Sequence, residues 1–574
     1  MPEYLAPGVF VEEVSFRSKS IEGVSTSTTA FIGPTRRGPT GATETPELLT
    51  SFADFERIYG GLNDLALAAG DNVNYVAHAA AAYFNEGGAR LYVARVASGV
   101  AAASKDVVGG SKFVARFPGD AGNGSIQVFL TRTPVSASAA ANALEGSFVR
   151  IRSNPETFAV KDGGHWKDAA DLTKAKDVSA ATDKMEIISA TVVATDADGF
   201  SATYGGLGLH STHKQFIGTV LHKDGNGQAD NVTRMFEFAV AGGVSAKQLF
   251  DVFKPDNLDK DNEAPKPVSF ALGGADGTKG TDVIPSDWAD AFNVVAGLDD
   301  VSIVAAPGHT QLGDPLAGDV RLKLIAHAET RRSYRIAVLE VPKGKTPSEA
   351  KDYKGNIDSK YAALYYPWVR VPNPLFDPNN PAEDAELVLP PSGFLCGIYA
   401  RSDIERGVFK SPANEVIRGA LRFERLINTG EQEMLNPIGV NCLRYFAGRG
   451  NRVWGARTTS SDPEWKYVNI RRYFLYLEHS IDNGTQWAVF EPNGERLWAN
   501  VRDTITSFLY NEWVNGALLG DKPEQAFFVK CDRSTMTQND LDNGRLICLI
   551  GVAAIKPAEF VIFRIGQKTA DARS

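Results

Sequence analysis

The chain has 574 residues, 43% of them hydrophobic and 22% charged, and a net charge of −9. That length exceeds one compact core and predicts three or four units of ~100–200 residues. The acidic balance excludes the basic surface that a nucleic-acid-binding domain needs. Residues 401–574 carry 23 Lys+Arg against 21 Asp+Glu, so the acidic excess falls on the first 400 residues, where it reads as a solvating face.

The four cysteines, Cys396, Cys442, Cys531 and Cys548, form no C-x-x-C pair. This is the pattern of a reducing compartment, neither a disulfide framework nor a zinc site. The opening MPEYLAPGVFVEEV lacks a basic stretch followed by an apolar one, and no apolar run reaches the ~18 residues of a membrane helix. The expectation is a protein made and folded in a cytoplasm, without membrane insertion.

In chain order, Pro7-Gly8 breaks the backbone and Val9-Phe10-Val11-Glu12-Glu13-Val14 reads as an extended strand, followed by a polar linker to Ser27. Residues 1–27 are therefore an arm. Its strand has no partner close in sequence, so its backbone groups are satisfied either on its own body or on a sheet of another subunit. An α/β pattern follows: a strand at Thr29–Gly33, helical spacing over Pro46–Tyr59, an alanine-rich helix at Asn74–Phe84 and a strand at Arg90–Val96. Residues 101–270 change character. Short strands at Phe113–Phe117, Ile126–Leu130, Ser147–Arg152, Met185–Ala194 and Met235–Val240, set between polar turns, predict a β-rich insertion domain. The α/β pattern then returns with strands at Val301–Pro307, Arg335–Val341 and Tyr361–Val371 and a helix at Val320–Arg332. Continuous apolar strands alternating with helices fit a sheet covered on both faces. Residues 28–100 together with 271–390 thus form a discontinuous α/β middle domain, ending in the proline-rich stretch Asn373–Pro391. In residues 391–556 helices are predicted at Glu415–Leu421, Val468–Ile481 and Glu495–Leu518, and a strand at Ile547–Ala554. Residues 557–574 form a second arm, with Phe560-Val561-Ile562-Phe563-Arg564-Ile565 as a final strand. The fold class is mixed α/β, multidomain, with extended arms at both ends.

Signatures of catalysis fail one by one. No G-x-x-x-x-G-K-[ST], G-x-S-x-G or H-E-x-x-H occurs. His210 and His213 have ligand-like spacing without a matching carboxylate and read as surface loop residues. Asp224–Gln228 starts like a calcium loop but lacks the glycine at the sixth place and the glutamate at the twelfth, and reads as a hairpin turn. Gly448-Arg449-Gly450 lacks the third glycine of a phosphate loop and reads as a tight turn carrying an interface arginine. The arginines and aromatics between Arg444 and Trp513 could grip single-stranded nucleic acid. Their helical spacing and interleaved acids favour core and protein–protein interface instead. No catalytic, cofactor or metal residue is assigned.

The C-terminal part resembles the tail sheath family of contractile phages, R-type pyocins and related injection systems. The resemblance is carried by Pro390-Pro391-Ser392-Gly393, Gly397–Asp403, Arg406–Asn414, Leu435–Asn441, Gly448–Gly450, Trp454–Thr458, Val468–Arg472, Phe490–Asn493, Ala526–Asp532 and Pro557–Phe560. Pro7–Val14, Ala30–Gly33 and Gly273–Gly277 look like the family's earlier motifs. Within these motifs Arg449, Arg452, Trp454, Arg457, Arg471, Arg472, Glu491 and Asn493 are candidate core or interface residues. The resemblance implies six copies in a ring around an inner tube protein and rings stacked as a helix on a baseplate, with a terminator or cap. It implies that Val9–Val14 and Phe560–Ile565 add to sheets of neighbours, that the C-terminal domain faces the tube, and that contraction drives the tube through an envelope. Assembly in a bacterial cytoplasm is implied, with the product a phage tail or a phage-derived injection particle. Genes beside this one would separate the two.

Overall fold

The computed structural model describes residues 20–40, 45–65, 67, 72–119, 122–153, 155–178, 184–197, 199–222, 234–260, 263–274, 283–380 and 384–564. The expected strand Val9–Val14, Ile565 and the Asp224–Gln228 turn lie outside them.

One seven-stranded sheet organises the chain. Its order is Leu91–Arg95, Thr29–Gly33, Ile303–Ala305, Ile336–Glu340, Ala362–Tyr366, Val440–Phe446 and Gly450–Val453; all neighbours are parallel except the last pair. The central strands are apolar on both faces because both faces are covered. Phe31 points into a layer with Phe55, Tyr83 and Tyr399. Its neighbours Ala30 and Ile32 point into the opposite layer with Trp288, Val295, Val320 and Leu324. The chain first steps from Thr29–Gly33 outward to Leu91–Arg95, then returns to the other side of Thr29–Gly33 and proceeds away from it. The direction of winding reverses between Thr29–Gly33 and Ile303–Ala305.

A second body lies between Ser104 and Gly273. It pairs Val268–Ala271, Ser125–Val135, Met185–Thr195, Phe148–Ile151, Thr157–Asp162 and His165–Asp168 antiparallel, with Ser201–Leu207 also on Met185–Thr195. A three-stranded sheet and the helix Ala246–Phe253 close over it, and Phe113, Phe238, Phe253 and Phe270 share its core. His210, expected on a surface loop, is buried there, its ring Nδ1 2.9 Å from Thr212 Oγ1. Burial lowers its pKa.

Several elements differ from the sequence expectation. Glu415–Leu421 is not a helix. It follows Pro412 and a left-handed Asn414, and its backbone lies along Gly450–Val453: Ile417 N donates to Asn451 O at 3.0 Å and Val453 N to Glu415 O at 3.0 Å. Tyr361–Val371 breaks at Pro367, which lacks the N–H a ladder needs. The first half joins the main sheet, and Val369–Pro372 joins a small sheet with Glu386–Leu389 and Arg422–Phe423. The helix Pro391–Arg406 was not legible, because its residues from Pro391 to Ser402 are all buried and leave no 3.6-residue pattern. It packs on Tyr75–Asn85 through two glycines a turn apart. A Cβ at Gly393 would lie 2.6 Å from Ala79 Cα, and one at Gly397 would lie 2.6 Å from Tyr83 O. The main sheet draws strands from both sides of residue 390, so a boundary there cuts through it.

At the end of Ile336–Glu340 the Glu340 side chain is fully buried. It accepts hydrogen bonds from Gly308 N at 2.7 Å and Ser392 Oγ at 2.6 Å, which ties the loop after Ile303–Ala305 to the buried helix. Burial pushes this carboxyl up to about 8 against those bonds.

Two outcomes are expected. Gly397→Ala gains ~1 kcal/mol of helix propensity but overpacks the helix pair at a cost of ~1–3 kcal/mol. Urea denaturation should therefore show a net loss. For Glu340, the folded pKa lies above the unfolded one, so its stabilising proton is fully held below about pH 4.5 in both states. The stability tied to it is lost as pH rises from there through about 8. Glu340→Gln should match the parent in thermal midpoint near pH 4.5 and exceed it at pH 8.5; an unchanged pH profile would count against this account.

Candidate assembly interface

The helix Val468–Thr485 anchors both ends of the described chain. Its amphipathic stripe of Tyr473, Leu477 and neighbours packs with Leu497, Trp498, Val501, Ile505 and Phe508 from the helix Glu495–Val514. Along another face runs residues 20–28. Arg472 Nη2 donates to Thr26 O at 3.0 Å, Ser480 Oγ accepts from Val24 N at 3.1 Å, and Ile21 sits over Gly484. A Cβ at Gly23 would fall 2.2 Å from Tyr476 Oη, so a side chain there would have to displace the Tyr476 hydroxyl. Five extended residues span ~17 Å and twelve helical residues ~18 Å. The segment from Thr26 to Ile21 thus matches the helix from Arg472 to Gly484 and leads off its C-terminal end.

Arg472 is buried, paired with Asp403 at 2.8 and 2.5 Å, and stacked on Tyr399 at 4.8 Å. Asp403 also accepts from Thr26 Oγ1 at 2.6 Å. Burial raises the Asp403 pKa, with the guanidinium opposing it. Arg471, also buried, lies between Trp465 at 4.5 Å and Tyr361 at 4.7 Å and donates to Glu478 at 2.8 Å.

The other root sits at the opposite end of the same helix. Arg457 Nε and Nη2 donate to the two oxygens of Glu559 at 2.7 and 2.6 Å. Asn436 Nδ2 and Tyr467 Oη donate to the same carboxylate at 2.8 and 3.0 Å. Burial works against this carboxylate, yet Arg457 and Asn436 hold its pKa below the usual range. Past Glu559 contact with the body ends. Phe560, Val561, Ile562 and Phe563 are 71, 69, 78 and 82% exposed, and residues 560–564 have no strand partner among the described residues. The described part of the expected final strand, residues 560–564, pairs with no strand here, and a strand requires a ladder.

Nearby, Phe527–Lys530 and Leu549–Val552 form a two-stranded antiparallel sheet with Lys530 opposite Leu549. Each strand has one edge free of any other strand among the described residues. Its outward face carries Phe528 and Leu549, both about half exposed, with the Phe528 ring lying over Gly551.

The remaining predicted residues separate into other places. Arg449 sits at the exposed tip of the Val440–Phe446 and Gly450–Val453 hairpin, stacked on Phe446 at 5.2 Å and Trp454 at 5.1 Å. It donates to Asn414 Oδ1 at 2.8 Å, and Arg452 donates to Asn414 O at 2.6 Å. Gly448 and Gly450 flank it with positive φ, as a tight turn requires. Asn493 accepts from Trp498 Nε1 at 2.7 Å, and Glu491 is exposed. Sequence reasoning missed Phe490 beside it, which is fully exposed at φ 69°. A bulky residue held at positive φ with its ring in solvent is a functional signal. Its place in the Phe490–Asn493 motif was the signal, although only Glu491 and Asn493 were singled out there.

Two family models abut along this region: the phage tail sheath protein central domain over residues 285–459 and the phage tail sheath C-terminal domain over 460–568. A chain in the structure of the anti-feeding prophage baseplate is 34% identical, covering 49% of this chain and 74% of that one, with a TM-score of 0.41. This chain belongs to the phage tail sheath family. A putative prophage major tail sheath protein of Pseudomonas aeruginosa is 27% identical over 269 residues, 46% of this chain and 64% of that protein. The match thus spans less than two thirds of that relative. The sheath of an extracellular contractile injection system in its contracted state shares the fold over 99% of both chains, at 20% identity and a TM-score of 0.53.

For the sheath-family chain, the clamp on Glu559 makes a local prediction. Glu559→Ala removes the acceptor for Arg457, Asn436 and Tyr467 while leaving the hydrophobic core intact. Hydrogen exchange should quicken at residues 555–560 and remain unchanged in Val440–Phe446. Equal quickening in both would mean the clamp holds the body and not the arm.

Proposed function

We propose that the chain is a structural subunit of the contractile sheath of a phage-tail-like injection machine. It polymerises as stacked six-membered rings around an inner tube in an extended state and contracts to drive the tube forward. The observation that carries this reading is the exposed segment Phe560–Phe563, rooted by a half-buried ion pair and placed on the same chain as a two-stranded sheet whose outer edges meet no other strand among the described residues. Each subunit offers both a loose strand and a strand acceptor, so copies can link head to tail by strand addition. The arm of one copy adds to Phe527–Lys530 or Leu549–Val552 of the next, and Val9–Val14 adds likewise. Phe490 and Arg449, exposed elsewhere on the chain, are further contacts between copies. The role is mechanical and not catalytic. The stroke draws on the difference between two sets of subunit contacts, ~1–3 kcal/mol per subunit summed over the lattice. The inner tube, baseplate and cap complete the particle. A phage tail is the second reading, favoured by curated relatives that are tail sheath proteins of phages.

Magnitudes say why the joint needs the lattice. Burying four large apolar side chains gains ~6–12 kcal/mol. Ordering five backbone residues costs ~5–10 kcal/mol. A lone joint is marginal, whereas a ring of them is cooperative.

Tagged protein in sheared lysate, imaged by negative stain, should appear in long thin and short wide rods, with heads attached only if it is a phage tail. Ile562→Asp, and separately deletion of Val9–Val14, should leave a monomer with the parent's thermal midpoint and no rods. Normal rods from both variants would refute the strand-addition role.

A further inference from the structure

The main sheet has a feature the assembly role does not use. In a doubly wound sheet a crevice opens beyond the carboxyl ends of the strands where winding reverses, because the connections on either side leave in opposite directions. Here that point lies between Thr29–Gly33 and Ile303–Ala305. A cavity of about 30 Å³ sits there, walled by Pro34 after the first strand, Pro307 and His309 after the second, Tyr75 and Val76 of one helical layer and Trp288 of the other. Two glycines let the walls approach. A Cβ on Gly33 would meet Val76 at 2.6 Å, and one on Gly308, at φ 76°, would meet the Tyr75 side chain at 2.3 Å.

Two residues of its lining carry a buried polar atom with no hydrogen-bond partner among the described residues. His309 Nε2 and Trp288 Nε1 are both buried and unpaired, on residues only 2 and 1% exposed. The tautomer of His309 follows from its other nitrogen. Nδ1 lies 2.7 Å from Ala306 O, which can only accept, so Nδ1 carries the hydrogen. Nε2 of the neutral ring is then an acceptor, and Trp288 Nε1–H is a donor. A buried donor or acceptor left unmet carries its whole desolvation penalty, so both atoms favour an occupant that pairs with them. Loop and helix positions are held independently of any occupant by Glu340, through Gly308 N and Ser392 Oγ.

We propose that this crevice binds a small neutral solute bearing a hydroxyl group, an alcohol or polyol. Its O–H donates to His309 Nε2 and its oxygen accepts from Trp288 Nε1, while its carbon atoms lie against Val76 and Leu312. A single water needs only ~10–15 Å³, so there is space for a hydroxyl and a short carbon chain. The site stands apart from the arms and depends on no reading of how copies assemble.

The test uses the full chain labelled with 15N at tryptophan, the Trp288 indole signal being identified by its loss in Trp288→Phe. Titration with 1-propanol should shift that signal saturably, and acetone, which accepts but cannot donate to His309, should shift it far less. If Trp288→Phe does not fold, the 15N resonance of His309 Nε2 in histidine-labelled parent protein gives the same readout, moving on 1-propanol and not on acetone. Linear drift without saturation, equal response to acetone, or a water cross-peak to the Trp288 indole that 1-propanol does not displace would each overturn the proposal.

Discussion

Asp403 and Arg472 neutralise one another where almost no water reaches, and three separate stretches of chain meet because of it. Asp403 belongs to the helix Pro391–Arg406, Arg472 to the helix Val468–Thr485, and both bind Thr26 in the N-terminal segment. A charge pair in such a place contributes little net stability, since its attraction mostly offsets the cost of removing two ions from water. Removing either partner is another matter, at ~3–5 kcal/mol, because the survivor is left charged and buried. The pair therefore acts as a registration device. Thr26 supplies one acceptor and one donor at fixed positions, and only one placement of residues 20–28 meets both.

The same helix carries the second root at its other end. Arg457 and Glu559 meet beside Tyr467, one residue before the helix begins, while the N-terminal segment leaves past Gly484 near its end. Eighteen helical residues span ~27 Å, so the two arm roots are held that far apart by a rigid strut. Trp465, Tyr361 and Arg471 stack at one end of it. Tyr473 and Tyr476 both donate to Glu512 further along, fixing the strut to the helix Glu495–Val514. In the proposed lattice the distance between joints is then a property of one helix, independent of how neighbouring bodies turn.

Legibility followed environment. Strands buried on both faces, such as Ile303–Ala305 and Ile336–Glu340, announce themselves as apolar runs, and Val468–Thr485 and Glu495–Val514 by their amphipathic spacing. Pro391–Arg406 was invisible as a helix for the reason that makes it important: from Pro391 to Ser402 it is enclosed on every side, and its glycines, which look like breakers, are where another helix backbone passes. Glu415–Leu421 misled because short helical spacing cannot register that Asn414 adopts a left-handed conformation. Of the candidate residues, the arginines were legible as a class but not by role. Arg457, Arg471 and Arg472 are spent within the chain, Arg449 stays at an exposed tip, and nothing local in sequence distinguishes them. The acidic partners of Arg457 and Arg472 lie far away in sequence, Glu559 being 102 residues from Arg457 and Asp403 69 from Arg472.

The roots and the segments beyond them have opposite physical character. Glu559 is held by charge-assisted hydrogen bonds that a change of salt weakens little, because the site is partly screened from solvent. Phe560–Phe563 is apolar, exposed and paired with no strand among the described residues. Strand addition supplies directional backbone bonds but leaves the segment between root and ladder free to rotate, since one extended residue has two soft dihedrals. A joint built this way resists extension, which must break the ladder or the buried pair, and yields to rotation, which need break neither. That asymmetry is what a sheath in the proposed role requires of its links when the bodies between them exchange one set of contacts for another.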